Sequence, residues 1–160
     1  MADDAQLKKV AEQHIRRFTL FYYFITREIV ETLGEEKGKG LIRKAVKKFG
    51  EARGKAIQER VKKDGLELDL KNFKTYYDLP LGLTHKSTLV KASTEKQNWK
   101  EVRGCLFSEI IKELGAEELG ALFCEQDQAL AEAYNPRTRF TRFQTALTGG
   151  DCCETLTELI

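Results

Sequence analysis

Helical periodicity fills the first 63 residues of the chain, and this pattern constrains the fold more than any other feature. Apolar residues recur at helical spacing between residues 4 and 33, and again between residues 35 and 63. Only Gly34 separates the two runs, and the pair Asp64-Gly65 ends the second. The sequence therefore predicts two long consecutive helices, so any sheet must form from the residues that follow.

Shorter helical and extended patterns alternate in the rest of the chain. One hairpin is predicted from residues 87–93 and 98–103, and another from residues 140–148 and 152–160 around Gly149-Gly150. Between them, apolar spacing over residues 107–114 and 119–133 predicts a helix pair. The whole predicts a single α+β domain over residues 1–160. Its N-terminal helices cover about 4–63. Its mixed part covers about 66–160 and holds an antiparallel sheet of about four strands, with the helix pair inserted between the two hairpins.

The composition is typical of a globular protein, with 41% hydrophobic and 32% charged residues in 160. The N-terminus lacks the basic and apolar regions of a signal peptide, and the longest apolar run, residues 18–25, is too short to span a bilayer. We therefore expect a cytoplasmic protein with no membrane partner. In that compartment the four cysteines are expected to stay reduced.

Charge is segregated along the chain. Residues 35–63 carry eleven Lys or Arg against four Asp or Glu, whereas residues 101–160 carry five against eleven. The basic helix either presents a solvated face beside the acidic half or attracts an anionic partner. It lacks an aromatic-interleaved basic surface and any nucleic-acid reader motif, so nucleic-acid binding is not expected. Gly50 and Gly54 lie one turn apart on this helix and predict a close backbone approach, most simply by the first helix.

Metal and cofactor motifs are missing from the sequence. Four Cys and two His show no Cys-x-x-Cys spacing, and no phosphate-binding or dinucleotide-binding loop occurs. We expect neither a metal nor a cofactor. The adjacent Cys152 and Cys153 should face opposite sides of a strand, so at most one of them can join a site with another thiol.

Cys124 and Asp127 are the first candidates for chemistry, because residues three apart share a helix face. Asp127 can act as a general base on water, but its charge raises the pKa of a neighbouring thiol. Cys124 would therefore need a nearby cation to react as a thiolate. The alternative is structural, with Cys124 as a small buried hydrophobe and Asp127 as a surface charge.

A late arginine cluster supplies candidates for anion binding. On a strand, Arg137 and Arg139 point to one side and Arg142 to the other. Because guanidinium groups bind carboxylates through two parallel hydrogen bonds, one of these arginines is expected to hold an anionic ligand.

A set of landmarks in fixed order carries a resemblance to a known family. They are the Gly/Ala-rich segment 40–54, Asn72-Phe73, Cys105, Cys124-Glu-Gln-Asp127, Tyr134-Asn-Pro136, Phe140 and the ending Leu147-Thr-Gly-Gly-Asp-Cys-Cys-Glu154. From about residue 35 to its C-terminus the chain resembles the L-2-amino-thiazoline-4-carboxylic acid hydrolase family. The pattern departs from the family in one place. Members tend to end with Gly-Asp-x-x-Cys, whereas here Cys152 follows Gly150-Asp151 directly.

The resemblance implies hydrolytic opening of a small cyclic amidine that bears a carboxylate. It implies catalytic positions at Cys124, Asp127, Asp151 and Cys153, and the candidate substrate-binding residues are Tyr134, Arg137, Arg139 and Arg142. A carboxylate, Asp127 first and Asp151 second, would activate water or protonate the leaving nitrogen. Alternatively, Cys124 would attack the amidine carbon.

A second reading is a non-catalytic small-ligand-binding or sensory module, with a homodimer as a further expectation. The aromatic run over residues 18–25 favours it, because this segment is apolar over more of its circumference than one core face requires.

Overall fold

The computed structural model describes residues 4–79 and 81–160, and these form seven α-helices, one 3-10 helix and four strands. The helices are α1 (Asp4–Leu33), α2 (Glu35–Lys63), α3 (Leu70–Thr75), α4 (Leu81–Thr84), α5 (Leu106–Glu113), α6 (Glu117–Cys124) and α7 (Gln126–Tyr134). The strands are β1 (Ser87–Ser93), β2 (Gln97–Arg103), β3 (Thr138–Gln144) and β4 (Cys153–Leu159), and the 3-10 helix is Ala146–Thr148. The predicted α+β class, the long N-terminal helices and the four-stranded antiparallel sheet are confirmed.

The face of α2 that carries Gly50 and Gly54 packs on α7, not on α1. A Cβ atom at Gly50 would collide with the carbonyl oxygen of Gln126, and one at Gly54 with that of Leu130. The predicted close approach is present, but the expected partner was wrong. The two glycines share the buried face of α2 with Ile57, which is fully buried against α7. Helix α1 meets α2 nearer the turn between them, at Gly38.

The helix predicted over residues 119–133 is broken at Glu125, so three helices instead of two separate the hairpins. Helix α6 ends at Cys124 and α7 begins at Gln126. The break allows the two segments to pack in different directions. Helix α6 lies on α5 and the 3-10 helix, and α7 lies between α2 and β3.

The sheet has the order β1-β2-β4-β3, with every neighbouring pair antiparallel. Strand β3 ends at Gln144, four residues earlier than predicted, because the chain then forms the 3-10 helix and turns at Gly149, whose φ is +90°. Strand β4 therefore pairs with β2 on one side and with β3 on the other. This arrangement brings residues 97–103 and 138–144 to opposite flanks of the same strand.

Three apolar clusters surround the helix break. One contains the fully buried Ile57 and Tyr134, and the second contains Phe107 and Ile111 with half-buried cysteines at its edge. The third joins Ile42 and Val46 of α2 to Leu122 of α6. Across residues 4–79 and 81–160, no helix combines the length and apolar character needed to cross a bilayer.

Candidate functional site

Arg142 joins the two ends of the helix break to the sheet. Its Nη2 atom donates one hydrogen bond to the carbonyl oxygen of Cys124 at 2.6 Å and another to Asp127 Oδ2 at 3.0 Å. The guanidinium carbon also lies 5.3 Å from the centre of the Phe140 ring on the same strand face. Because Asp127 opens α7 directly after the break, its carboxylate is held at the helix-facing surface of the sheet.

Lys100 lies in the same cross-strand row as Arg142. Thr155 of β4 is paired with Lys100 of β2 on one side and with Arg142 of β3 on the other. Residues in register on neighbouring strands point to the same face, so both cations extend toward the helices. Two strand spacings of about 4.8 Å separate their backbones by roughly 10 Å.

Tyr77 and Arg53 line the Lys100 side of this row. Lys100 Nζ lies 5.9 Å from the centre of the Tyr77 ring, and the guanidinium carbon of Arg53 lies 5.5 Å from the same ring. Arg53 is already neutralised, because it donates to both carboxylate oxygens of Asp78 at 2.5 and 2.8 Å and to Gln126 Oε1 at 2.6 Å. The aromatic ring thus lies between a paired arginine and Lys100.

Burial and the negative charge of Asp127 both change the pKa values of Tyr77 and Lys100. Burial raises the pKa of Tyr77 to about 12, and the negative charge of Asp127 adds to that rise. Burial lowers the pKa of the Lys100 ammonium, and Asp127 opposes that change. Tyr77 therefore stays protonated at neutral pH, and Asp127, Tyr77 and Lys100 belong to one electrostatic site.

The thiol of Cys124 is not activated by its surroundings. Burial raises its pKa well above the usual value, the charge of Asp127 raises it further, and Arg142 only opposes these effects. Thiolate chemistry requires a lowered pKa. The arrangement instead suits a carboxylate that accepts a proton beside a neutral thiol. Ile111 and Leu147 pack against Gly120, one turn before Cys124, and fill the space beside that glycine.

The adjacent cysteines face opposite sides of the sheet, as strand alternation predicts. Cys153 faces the helices, where its Sγ lies 3.7 Å from Thr145 Oγ1 and its charge would act on Cys124. Cys152 is fully buried and accepts a hydrogen bond from Gln144 Nε2 at 3.1 Å. Cys105, which precedes α5, is half-buried and packs at the edge of the same core as Cys124.

Among the described residues, the other predicted site residues make no hydrogen bond or ion pair with Asp127. Tyr134 is fully buried in the core, where its hydroxyl donates to the carbonyl oxygen of Asp69 at 2.8 Å, so its position gives it a packing role. Arg137 and Arg139 are exposed near the start of β3, and Arg139 points away from the face that carries Arg142. Asp151 is exposed on the turn before β4. The convergent set is therefore Cys124, Asp127, Arg142 and Cys153.

Sequence reasoning missed Lys100, Tyr77 and Arg53. A signal for Lys100 existed, because strand alternation places it on the same face as the buried Val102. A lysine at an inward-facing strand position is unusual and points to a function or a partner. No comparable local pattern marks Tyr77 or Arg53, which reach the site from a loop and from α2.

A concave surface lies between α1 and α2, away from the Asp127 carboxylate. This apolar groove has a volume of about 220 Å³. Its walls include Phe18, Phe21, Ile25, Leu41, Val46 and Phe49. Phe21 is 64% exposed, so much of the groove faces solvent. In the part of the chain that the structure describes, no group of three or more His, Cys, Asp or Glu residues is arranged to hold a metal ion.

Two solved structures share this fold. The phenol-responsive sensory domain of the transcription activator PoxR, crystallised with phenol, superposes with a TM-score of 0.54 at 11% identity, covering 91% of this chain and 74% of that one. A trafficking protein particle complex subunit 3 from Naegleria fowleri, covalently bound to palmitic acid, superposes with a TM-score of 0.54 at 14% identity, covering 92% and 95%. At these identities the likeness shows the fold alone.

Sequence comparison identifies the family. No curated protein sequence matches the chain significantly. The profile of the L-2-amino-thiazoline-4-carboxylic acid hydrolases, however, matches residues 14–156, which is nearly the whole chain. This match covers the helix break, β2 and β3, and hence Lys100, Cys124, Asp127 and Arg142. The chain belongs to the L-2-amino-thiazoline-4-carboxylic acid hydrolase family.

Proposed function

We propose that the protein hydrolyses a C–N bond in a small cyclic amidine that bears a carboxylate, of the 2-amino-thiazoline-4-carboxylate kind. Membership of the family supports the reaction class. The observation that carries the proposal is the Asp127 carboxylate, held by Arg142 at 3.0 Å beside a buried neutral thiol. A positioned carboxylate can bind a cationic amidine and accept a proton from water.

Asp127 is the general base in this mechanism. The substrate enters as the amidinium, already protonated on its ring nitrogen. Asp127 takes a proton from a water molecule whose oxygen adds to the amidine carbon, and the second electron pair of the ring C=N bond moves onto the nitrogen. Asp127 then gives that proton to the ring nitrogen, the ring C–N bond breaks with its electron pair on nitrogen, and the hydroxyl group becomes a carbonyl as its proton passes to the released amine. One water is consumed and a primary amine is released. Attack by Cys124 is disfavoured, because burial and Asp127 both raise the pKa of that thiol.

Ring opening of 2-amino-thiazoline-4-carboxylate tests the proposal. Cleavage of the C–N bond releases a primary amine, which fluorescamine detects, whereas cleavage of the C–S bond releases a thiol, which a disulfide reagent detects. We expect amine release by the wild type and a loss of about 100-fold or more in Asp127→Asn, the usual range for a general base. Folded wild-type protein that releases no primary amine from this substrate or from a panel of cyclic amidines contradicts the proposal, and release of the thiol alone places the cleavage at the C–S bond instead.

Matched variants assign the base. Glu132→Gln changes an exposed carboxylate on the same helix as Asp127 and should keep full activity. Asp151→Asn changes the second carboxylate that the family resemblance implies. If Asp151→Asn abolishes amine release and Asp127→Asn does not, the general base is Asp151. Circular dichroism of each variant checks that activity is lost without unfolding.

Binding of a small apolar or aromatic ligand without catalysis is the second candidate function. The apolar groove between α1 and α2 favours it, and the PoxR domain of the same fold was crystallised with phenol. We expect phenol to raise the melting temperature of the wild type, and Phe49→Glu, which places a charge in the groove wall, to abolish that rise. Amine release with no response to phenol favours the hydrolase, and the reverse result favours the ligand-binding module.

A homodimer stays a prediction, and the exposed aromatic residues of α1 are the proposed contact. Phe21 and Phe24 are 64% and 60% exposed on α1, and burial of such residues favours association. Light scattering of the wild type and of Phe24→Glu gives the mass in solution. A dimer in the wild type and a monomer in the variant would place the contact on α1. A monomeric wild type would contradict the prediction.

A further inference from the structure

We infer that Lys100 binds the carboxylate of the substrate, and that the late arginines do not. This inference rests on the proposed function and names the subsite that selects a carboxylate-bearing ring. Lys100 is half-buried on β2 and points toward the helices. Among residues 4–79 and 81–160, no carboxylate oxygen lies within 4.0 Å of its Nζ atom. A half-buried ammonium group without an anion is a ready binding site for one.

The neighbouring cations are occupied or distant. Arg142 donates through Nη2 to Cys124 and to Asp127, whose carboxylate balances its charge. Arg53 donates through Nε, Nη1 and Nη2 to Asp78 and Gln126. Arg137 and Arg139 are exposed and lie nearer the opposite end of β3. Lys74, whose charge acts on Lys100, is exposed and donates to Ser93 Oγ at 3.3 Å. Among the described residues at this site, Lys100 is therefore the half-buried cation that no carboxylate contacts.

The register places Lys100 at a suitable distance from the reacting groups. Its backbone lies roughly 10 Å from that of Arg142, with Thr155 between them, because two strand spacings separate the residues. Arg142 holds Asp127 at one end of this row and Lys100 occupies the other. A five-membered ring whose carboxylate contacts Lys100 can thus direct its amidine carbon toward Asp127.

Electrostatics favour one orientation of such a substrate. The positive amidine is attracted to Asp127 and the negative carboxylate to Lys100. The Tyr77 ring, 5.9 Å from Lys100 Nζ, covers the ammonium and keeps water partly away, which strengthens a charge pair. A bound carboxylate would also offset the burial that lowers the pKa of Lys100.

Calorimetric binding of two ligands to four proteins tests the inference. The ligands are 2-amino-thiazoline-4-carboxylate and 2-amino-thiazoline, which lacks only the carboxylate. All four proteins carry Asp127→Asn to prevent turnover. The first has no further change, two more carry Lys100→Met or Lys100→Arg, and the fourth carries Lys96→Met as a control at an exposed lysine of the β1–β2 turn. We expect Lys100→Met to weaken binding of the carboxylate ligand about 10-fold or more, with less than twofold change for 2-amino-thiazoline. Lys100→Arg should restore part of the loss, and Lys96→Met should change neither affinity.

Steady-state kinetics give an independent readout in proteins that keep Asp127. Lys100→Met should raise KM for the carboxylate substrate about 10-fold and change kcat little, because the contact is made in both ground and transition states. If Lys100→Met weakens the binding of both ligands equally, Lys100 is a structural residue and the inference is overturned. Unchanged affinity for the carboxylate ligand would also overturn the inference.

The two proposals fail in different ways. If the wild type opens the ring and Lys100→Met has no effect, the inference fails and the hydrolase proposal stands. If the carboxylate ligand binds through Lys100 but the wild type releases no amine, the inference stands and the hydrolase proposal fails. If Lys100→Met leaves the affinity for the carboxylate ligand and its KM unchanged and the wild type releases no amine, both fail.

Discussion

Arg142 and Asp127 form an ion pair at 3.0 Å in which the arginine reaches from β3 to the start of α7. The same guanidinium nitrogen also donates to the carbonyl oxygen of Cys124, which ends α6. One side chain therefore satisfies a helix C-terminus and orients a carboxylate. The pair connects the stability of the helix break to the geometry of the proposed site.

Replacement of Arg142 should reduce both stability and activity. Arg142→Met leaves the Cys124 carbonyl and Asp127 without their donor, and we expect unfolding to become easier by about 1–3 kcal/mol. Chemical denaturation measures the change. Arg139→Met, on the same strand but exposed on the other face, should change stability by no more than about 0.5 kcal/mol. Equal losses in the two variants would show that the contact of Arg142 with the helix break contributes nothing.

Neutralising Asp127 should make Cys124 more reactive. The negative charge of Asp127 contributes to the raised pKa of the thiol, so Asp127→Asn lowers that pKa and increases the thiolate fraction at any pH below it. We expect slow alkylation of Cys124 by iodoacetamide in the wild type. In the variant, alkylation should be faster and its midpoint should shift to lower pH, as followed by peptide mass spectrometry. Glu132→Gln is the control, and an unchanged rate in Asp127→Asn means that Asp127 does not act on the thiol.

Removing the Lys100 ammonium should stabilise the protein at neutral pH. Because the pKa of Lys100 is lower in the folded state than in the unfolded state, the protonated group costs free energy on folding at every pH below the folded pKa. That cost disappears as pH rises through the folded pKa toward the ordinary value of 10.5. Lys100→Met should therefore raise the melting temperature at pH 7.

The pH dependence of this gain is its test. The difference between Lys100→Met and the wild type should shrink as pH rises above neutrality, whereas Lys96→Met should show no gain at any pH, because Lys96 is exposed. The charged groups that act on Lys100 are Asp127, which opposes the lowering, and Lys74, which adds to it. A melting temperature that falls in Lys100→Met would mean that the ammonium is stabilised in the fold.

Alanine at Gly54 should destabilise the fold even though alanine favours helix. The new Cβ would collide with the carbonyl oxygen of Leu130, which belongs to the α7 backbone and cannot move independently. Overpacking of this kind costs about 1–3 kcal/mol, more than the gain of up to about 1 kcal/mol in helix propensity. Gly40→Ala on the same helix is the control, because nothing lies within 4 Å of its Cβ, and it should be neutral or stabilising. A stable Gly54→Ala would show that α2 and α7 are not in close contact.

The sequence by itself determined the two long N-terminal helices and the final turn. Periodicity predicts α1 and α2, because an amphipathic helix needs one continuous apolar face whatever its partner is. Gly149 predicts the final turn, since its φ of +90° is unfavourable for other residues. Strand alternation likewise separates Cys152 from Cys153, because neighbouring side chains on a strand point in opposite directions. Each of these conclusions depends on residues close together in the chain.

Tertiary structure alone decided which of these elements meet. Helix periodicity shows that Gly50 and Gly54 permit a close neighbour, but only packing selects α7. The arginine cluster predicts an anion-binding group, but only the position of β4 between β2 and β3 brings Lys100 and Arg142 to the two sides of Thr155. Strand order is set by the burial of whole sheet faces and by long-range pairing, so no local pattern encodes it. For that reason the sequence indicates Asp127, whereas the unpaired Lys100 opposite it emerges only in the folded protein.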